Sequence, residues 1–240
     1  MRPIDLAAYS RIVVLTGAGV SVASGLRPYR GPGGLWEEIE VMEVASARAM
    51  RERPQRVWRF FAEARRAVSL ARPNPTHLAL ARAQQRLGTG RLTVITQNID
   101  SLHQRAGTQA VIELHGTLAR SRCSDPECSL PAFDDQNVSD ECPSCPRCGH
   151  PLRADVVLFD EPIPVDPEWQ TKHALRGCNL FLAIGTSGTV SPASNFVRSA
   201  AYEGARTILI NLEPMRPANP AFSEEYIGPA EELVPRLLLG

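Results

Sequence analysis

Lysine is nearly missing from this chain. Of its 26 basic residues only Lys172 is not arginine, a skew that the codon bias of a GC-rich genome explains. No run of about 18 consecutive apolar residues occurs, which excludes a membrane-spanning helix. Residues 1–9 carry no apolar signal-peptide core, which points to a cytoplasmic protein. Charge of one sign is not in excess either: 26 basic and 26 acidic residues cancel. The electrostatic footprint of a nucleic-acid binder is therefore not expected, and no membrane partner is. What remains is an ordinary globular composition, 43% hydrophobic over 240 residues. That length holds one large domain, or one domain carrying a small inserted module.

Four short apolar runs have strand character: residues 12–15, 92–95, 180–184 and 207–210. Helical periodicity surrounds them, with helices expected over 35–50, 54–70 and 76–87, the last capped by Asn74. This alternation reads as α/β, with a mainly parallel sheet covered on both faces. Each run ends in small, hydroxyl or amide residues: Gly17-Ala18-Gly19, Gln97-Asn98-Ile99-Asp100, Gly185-Thr186-Ser187 and Asn211-Leu212-Glu213. Such residues at the carboxyl ends of parallel strands suit phosphate and ribose. The first run leads into Gly17-Ala18-Gly19 as though toward a phosphate-binding helix N-terminus. Two parts of the dehydrogenase fingerprint are missing, however. Val22 stands where a third glycine would, and no strand ending in a ribose-binding acid follows about 20 residues on. A Gly/Pro/Arg-rich loop over residues 25–36 follows instead.

Five of the six cysteines fall between Cys123 and Cys148, in a segment (119–153) too poor in apolar residues to form a core. Cys123-x4-Cys128 and Cys145-x2-Cys148-Gly149 have the spacing of a structural zinc ribbon, in which four thiolates close a tetrahedral Zn²⁺. Cys142-x2-Cys145 is a competing pair; the glycine after Cys148 favours Cys145 with Cys148. Two histidines stand near strand ends. His115, in Glu113-Leu114-His115-Gly116, is a candidate general base, and His103 lies at helical spacing after Asp100, where it supports the loop. Asp100 is open to a second reading as a helix cap.

In order along the chain, Gly17-Ala18-Gly19-Val20-Ser21, Ser24-Gly25, Arg30, Gln97-Asn98-Ile99-Asp100, His115-Gly116, the four cysteines, Val157-x-Phe159-x-Glu161, Gly185-Thr186-Ser187 and Asn211 resemble the sirtuin family, from about residue 12 to 237. Gly33-Gly34-Leu35-Trp36 looks like its compact bacterial and class III branch. The resemblance implies a Rossmann-like sheet with an inserted zinc-binding module, and an NAD-consuming protein-lysine deacylase. Within it, residues 25–36, with Tyr29, Arg30 and Trp36, would cover the cofactor. Gly17, Ala18, Gly19 and Ser21 would hold the pyrophosphate, helped by Gly185, Thr186 and Ser187. Gln97, Asn98, Ile99 and Asp100 would line the nicotinamide pocket, and Asn98 and Asp100 would orient its amide. Asn211, Leu212, Glu213 and Ala230 would lie at the adenosine end. His115 would be the base acting on a ribose hydroxyl, and an acyl-lysine peptide would add as a β-strand beside Val157 and Phe159. The products would be lysine, nicotinamide and O-acyl-ADP-ribose.

Three departures from that family matter. Pro28-Tyr29 alters the cofactor loop, and Asp160 replaces a glycine between Phe159 and Glu161. Phe61 and Ala64 stand where succinyl- and malonyl-removing relatives carry a Tyr-x-x-Arg pair. This predicts acetyl or apolar acyl groups, with Arg65 as the residue that could restore an acidic preference. Two other readings stay open on the same motifs: mono-ADP-ribosyl transfer or NAD hydrolysis, and an NAD-sensing module without turnover.

Overall fold

The computed structural model describes residues 2–28, 34, 40–188 and 192–239. Tyr29, Arg30 and Trp36 of the expected cofactor loop lie outside the described residues. In chain order the elements are β1 (Ile12–Thr16), a 3-10 segment (Ala18–Ser24), α1 (Val41–Val44), α2 (Ala47–Glu52), α3 (Pro54–Leu70) and α4 (Pro75–Leu87). There follow β2 (Leu92–Thr96), α5 (Leu102–Arg105), β3 (Ile112–Glu113), β4 (Gly116–Cys123), β5 (Phe133–Asp134) and β6 (Leu152–Val156). The chain continues through α6 (Val165–Leu175), β7 (Leu180–Ile184), α7 (Phe196–Tyr202), β8 (Arg206–Asn211), β9 (Glu224–Ile227) and α8 (Ala230–Leu238).

Six strands form one parallel sheet in the order β3-β2-β1-β7-β8-β9. Successive strands step outward from β1 on one side and from β7 on the other. The gap between the carboxyl ends of β1 and β7 is therefore the topological switch point, where open α/β sheets bind ligands. The four expected strands are the four central ones. They are apolar throughout because both faces are covered. Ile12 and Val14 pack with Leu80, Val234 and Leu237 on one face, while Val13 and Leu15 pack with Phe181, Leu175 and Val197 on the other.

The helix expected over 54–70 is α3, and that over 76–87 is α4. Asn74 caps α4 by accepting from the Thr76 amide (2.9 Å), and its own Nδ2 donates to Val20 O (2.7 Å) and Ser24 Oγ (2.9 Å). Of the helix expected over 35–50, the described part is broken into α1 and α2. Between them the amide of Ala47 donates to Phe159 O and the carbonyl of Ala45 accepts from the Phe159 amide, each at 2.9 Å. The stretch after Gly19 is a 3-10 turn rather than an α-helix, closed by Gly25 at φ +85°.

The inserted segment folds on a three-stranded antiparallel sheet, β5-β4-β6. It is fastened to α3 through Arg65, whose side chain is only 6% exposed. The guanidinium donates to the carbonyls of Leu118 (2.8 Å), Arg120 (3.0 Å) and Asn137 (3.1 Å) and to Ser121 Oγ (2.9 Å), and it pairs with Asp135. It also lies 5.3 Å from the ring centre of Trp58, which packs against Cys123, Cys145 and Leu152. Arg65 is thus fully used inside the structure. Replacing it by Leu leaves these acceptors buried and unmatched, so unfolding free energy should fall by about 3–5 kcal/mol in urea titration.

Candidate active site

At the carboxyl edge of the sheet, β1 and β7 meet backbone to backbone. The Gly17 amide donates to Ile184 O (3.0 Å) and the Gly19 amide to Gly185 O (2.9 Å). A Cβ on Gly17 would lie 2.7 Å from Gly185 O, and one on Gly19 would lie 2.7 Å from Gly185 Cα. Gly185 itself sits at φ +59°, and its Cβ would meet Val20 N at 2.6 Å. The glycines are demanded first by this contact, which leaves the edge bare of side chains.

Gln97, Asn98 and Asp100 follow β2 beside this edge. Gln97 donates through Nε2 to Thr186 Oγ1 (3.0 Å), so the Thr186 hydroxyl already has a partner. The Asn98 amide donates to Thr96 Oγ1 (3.1 Å), and its Nδ2 donates to Gly17 O (3.0 Å) and Ser21 Oγ (3.2 Å). Ser21 in turn donates to Asp100 Oδ2 (2.7 Å), while the Leu102 amide caps Asp100 Oδ1 (2.9 Å). Ser21, expected beside a pyrophosphate, has its hydroxyl committed to Asp100. The helix-cap reading of Asp100 matches Oδ1, while Oδ2 is taken by Ser21. Burial raises the Asp100 pKa above the ordinary carboxylate value. Ile99 O accepts from the Leu118 amide (2.9 Å), which fixes the segment against β4.

His115 sits between β3 and β4, half-buried. Its Nδ1 lies 3.0 Å from Gln97 O, a partner that can only accept, so Nδ1 carries the proton and Nε2 has the free lone pair. Burial lowers its pKa below the ordinary 6.5, against the raising effect of the Gln97 carbonyl.

Val157 and Phe159 run alongside. The Val157 amide donates to His115 O (2.9 Å), and Phe159 is bonded on both sides to Ala45 and Ala47, so one edge of this segment is already paired. It then turns at Asp160, which adopts φ +71°, as the Glu161 amide donates to Leu158 O (3.1 Å). Glu161 fixes the turn, accepting from the Leu158 amide and, through both oxygens, from buried Arg153 (2.5 and 2.9 Å). Phe61 and Ala64 belong to the apolar cluster that includes Ile99, Leu118 and Phe159.

At the other end of the edge, the Gly228 amide donates to Asn211 O (2.9 Å), which brings the end of β8 to the start of α8 at Ala230. Ser187, Leu212 and Glu213 are exposed there. Sequence reasoning missed the module-fastening role of Arg65, the Arg153–Glu161 pair and the buried Thr16–Thr96 pair beside His103, because a lone arginine or threonine carries no spacing signal.

In the inserted module, the sulfurs of Cys123, Cys128, Cys145 and Cys148 all lie within 4.8 Å of one another. The Cys123–Cys148 and Cys128–Cys145 pairs are 3.4 and 3.8 Å apart. Tetrahedral Zn²⁺ with bonds of about 2.3 Å needs sulfurs about 3.8 Å apart, so the donor set fits one structural zinc. Amides of Asp125 and Arg147 donate to Cys123 and Cys145 (3.4 Å each), as thiolates require. Cys142 points away toward Leu152 O (3.4 Å), which resolves the competing pair.

A nicotinamide dinucleotide fits the edge on two counts. The Gly17–Gly19 and Gly185 backbone carries no side chain but that of Ala18, and Asn98 Oδ1 is a buried acceptor with no partner among the described residues, matched to an amide N–H. A doubly flanked parallel sheet with this switch-point site and a four-thiolate insertion defines a dinucleotide-binding α/β enzyme architecture. Comparison with known proteins narrows the class. The Sir2 family model matches residues 17–192. An Escherichia coli K12 protein named NAD-dependent protein deacylase is 43% identical over 231 residues, covering 95% of this chain and 81% of that one. A Pyrobaculum aerophilum protein, NAD-dependent protein deacylase 2, is 42% identical over 99% of this chain and 94% of its own. A solved Sir2 homolog–NAD complex superposes with a TM-score of 0.88 at 34% identity, over 98% of this chain and 90% of that one. A Sir2 complex with deacetylated p53 peptide and 3′-O-acetyl ADP-ribose gives 0.84 at 29% identity, over 96% and 93%. The chain belongs to the Sir2 family.

The sulfur geometry separates Cys148 from Cys142. Cys148→Ser should lose zinc and unfold the module, while Cys142→Ser should retain one zinc per chain, read by metal analysis of the purified variants. Loss of metal in both would place Cys142 among the ligands.

Proposed function

We propose that this chain is an NAD-dependent protein-lysine deacylase that favours acetyl or apolar acyl groups over succinyl. The observation that carries this reading is His115, whose Nδ1–H donates to the carbonyl of Gln97 and so leaves the Nε2 lone pair free, beside the segment that bears Asn98 and Asp100. A pure binding module has no use for a base so placed. NAD would supply a nicotinamide–ribose bond whose cleavage leaves an electrophilic sugar carbon for the acyl-lysine oxygen.

The chain's residues would act around that reaction. Gly17, Ala18, Gly19, Gly185 and Ser187 border the pyrophosphate, and Asn211, Leu212, Glu213 and Ala230 the adenosine. Asn98 Oδ1 would accept from the nicotinamide amide and hold the leaving group in place, with Asp100 setting the orientation through Ser21. His115 Nε2 would take the proton of a ribose hydroxyl, freeing that oxygen to attack the acyl carbon. One water from solvent would then displace the lysine amine, so that lysine, nicotinamide and O-acyl-ADP-ribose leave. The substrate backbone would add as a strand beside the Val157–Phe159 segment, with the acyl group near Phe61 and Ala64. An acidic acyl there would be left unpaired, because the neighbouring Arg65 is consumed by the module.

Two measurements test this. NAD loss should require an acylated peptide, and kcat/KM for a succinyl-lysine peptide should be about 10–100-fold below that for the acetyl peptide. NAD consumption without peptide would favour hydrolysis or ADP-ribosyl transfer instead, and preferential succinyl removal would sink the acyl assignment. The pH profile tests the base. His115 acts only while Nε2 is unprotonated, and its lowered pKa keeps it so under more acidic conditions than a free histidine. The acid limb of kcat/KM should therefore fall below the ordinary histidine value and vanish with the activity in His115→Tyr.

A further inference from the structure

Two buried histidines take no part in the chemistry above, yet both touch it through their neighbours. His77 and His103 are 0% and 1% exposed, and their ring centres lie 4.8 Å apart at 57°. Their bonding fixes which nitrogen of each ring carries the proton. The Asn74 amide donates to His77 Nδ1 (3.3 Å), so His77 carries its proton on Nε2, and that N–H has no partner among the described residues. On the other ring, Nε2 lies 2.9 Å from Thr16 Oγ1. The Thr16 hydroxyl gives its own proton to Thr96 Oγ1 (2.9 Å), so it accepts from His103 Nε2–H. His103 Nδ1 is then a bare acceptor, also without a partner among the described residues. An unmatched donor and an unmatched acceptor thus stand on neighbouring buried rings. Each would cost free energy there unless the two were joined.

We propose that His77 and His103 form a neutral relay, joined through one internal water, and that His103 is a positioning residue for Asn98 in the nicotinamide pocket. The chain of donors runs His77 Nε2–H, water, His103, Thr16, Thr96, and Thr96 Oγ1 also accepts the Asn98 amide (3.1 Å). Its far end is Asn74, which holds Val20 and Ser24 of the turn after β1. Both walls of the site are therefore indexed to one buried polar line. Burial depresses His77 to about 4 and His103 to about 3, so neither ring charges under working conditions and the proton order is constant. Without the His103 donor, Thr16 loses the bond that aims its hydroxyl at Thr96, and the Asn98 backbone loses its fixed reference.

The inference rests on Asn98 holding nicotinamide, and its test separates the two ideas. In the active wild type, His103→Leu and the near-isosteric Thr16→Val should each lower kcat about 10-fold, with KM for NAD changed much less. The double variant should be no worse than either single, because both cut one line. His103→Gln, which can still donate to Thr16, should restore most of kcat. Additive losses, or a kcat loss that follows only the folded fraction in thermal melts, would overturn the positioning role. Should His103→Leu fail to fold, Thr16→Val and His103→Gln still decide it. Independently of any turnover, ¹⁵N spectra should find both rings neutral with the proton on Nε2 across the range where a free histidine titrates. A proton on His103 Nδ1 would refute the relay even in an inactive chain, whereas an inactive wild type with the stated tautomers would fail only the deacylase reading.

Discussion

The contact of Gly17 and Gly19 with Gly185 sets how closely the two halves of the sheet approach at their carboxyl ends. With Cβ positions 2.6–2.7 Å from opposing backbone, nothing larger than glycine fits without moving a strand. Because the strands are parallel, that spacing propagates. It places Thr16 against Gln97, Gln97 against Thr186, and Asn98 against Gly17. The ligand-facing groups are held mostly by backbone, and the side chains fill in afterwards.

Around this edge, polar residues are shared between holding and binding. Asp100 caps α5 with one oxygen and accepts from Ser21 with the other. Glu161 ties down the Leu158–Glu161 turn through Arg153, and Asn74 joins the cap of α4 to the turn after β1. The two sheets meet where His115 O accepts from Val157 and Arg65 reaches the β4 carbonyls. His115 is therefore held on both sides, through Nδ1 by the Gln97 carbonyl just after β2 and through its own carbonyl by the Val157 amide.

Much of this was readable from the chain itself. The four central strands announced themselves because burial on both faces makes them apolar throughout, and Asn74-Pro75 and the cysteine spacing marked a cap and a thiolate cluster. The edge strands did not. β3 has two residues, and β9 reads Glu-Glu-Tyr-Ile, at a sheet edge that no other strand covers among the described residues. Spacing also left Arg65 ambiguous, since the i+4 position on α3 suits either the acyl group or the module, and only the carbonyls of Leu118, Arg120 and Asn137 decide it. Asp160 looked like a loss of backbone freedom, yet the turn keeps the left-handed conformation that glycine would take, at a strain cost of about 1–2 kcal/mol.

The scarcity of lysine acquires a meaning of its own beside acyl-lysine chemistry. Across these 240 residues a single ε-amine is available, Lys172 on α6, two-thirds exposed and 2.7 Å from Glu168. Arginine fills every other cationic position, including the buried ones at Arg65 and Arg153, and a guanidinium does not titrate or acylate as an amine does. Reactive acyl donors that decorate lysine-rich surfaces would thus find one side chain to modify here, far along the chain from His115. The scaffold keeps its charge and its buried ties under the very conditions that create its substrates.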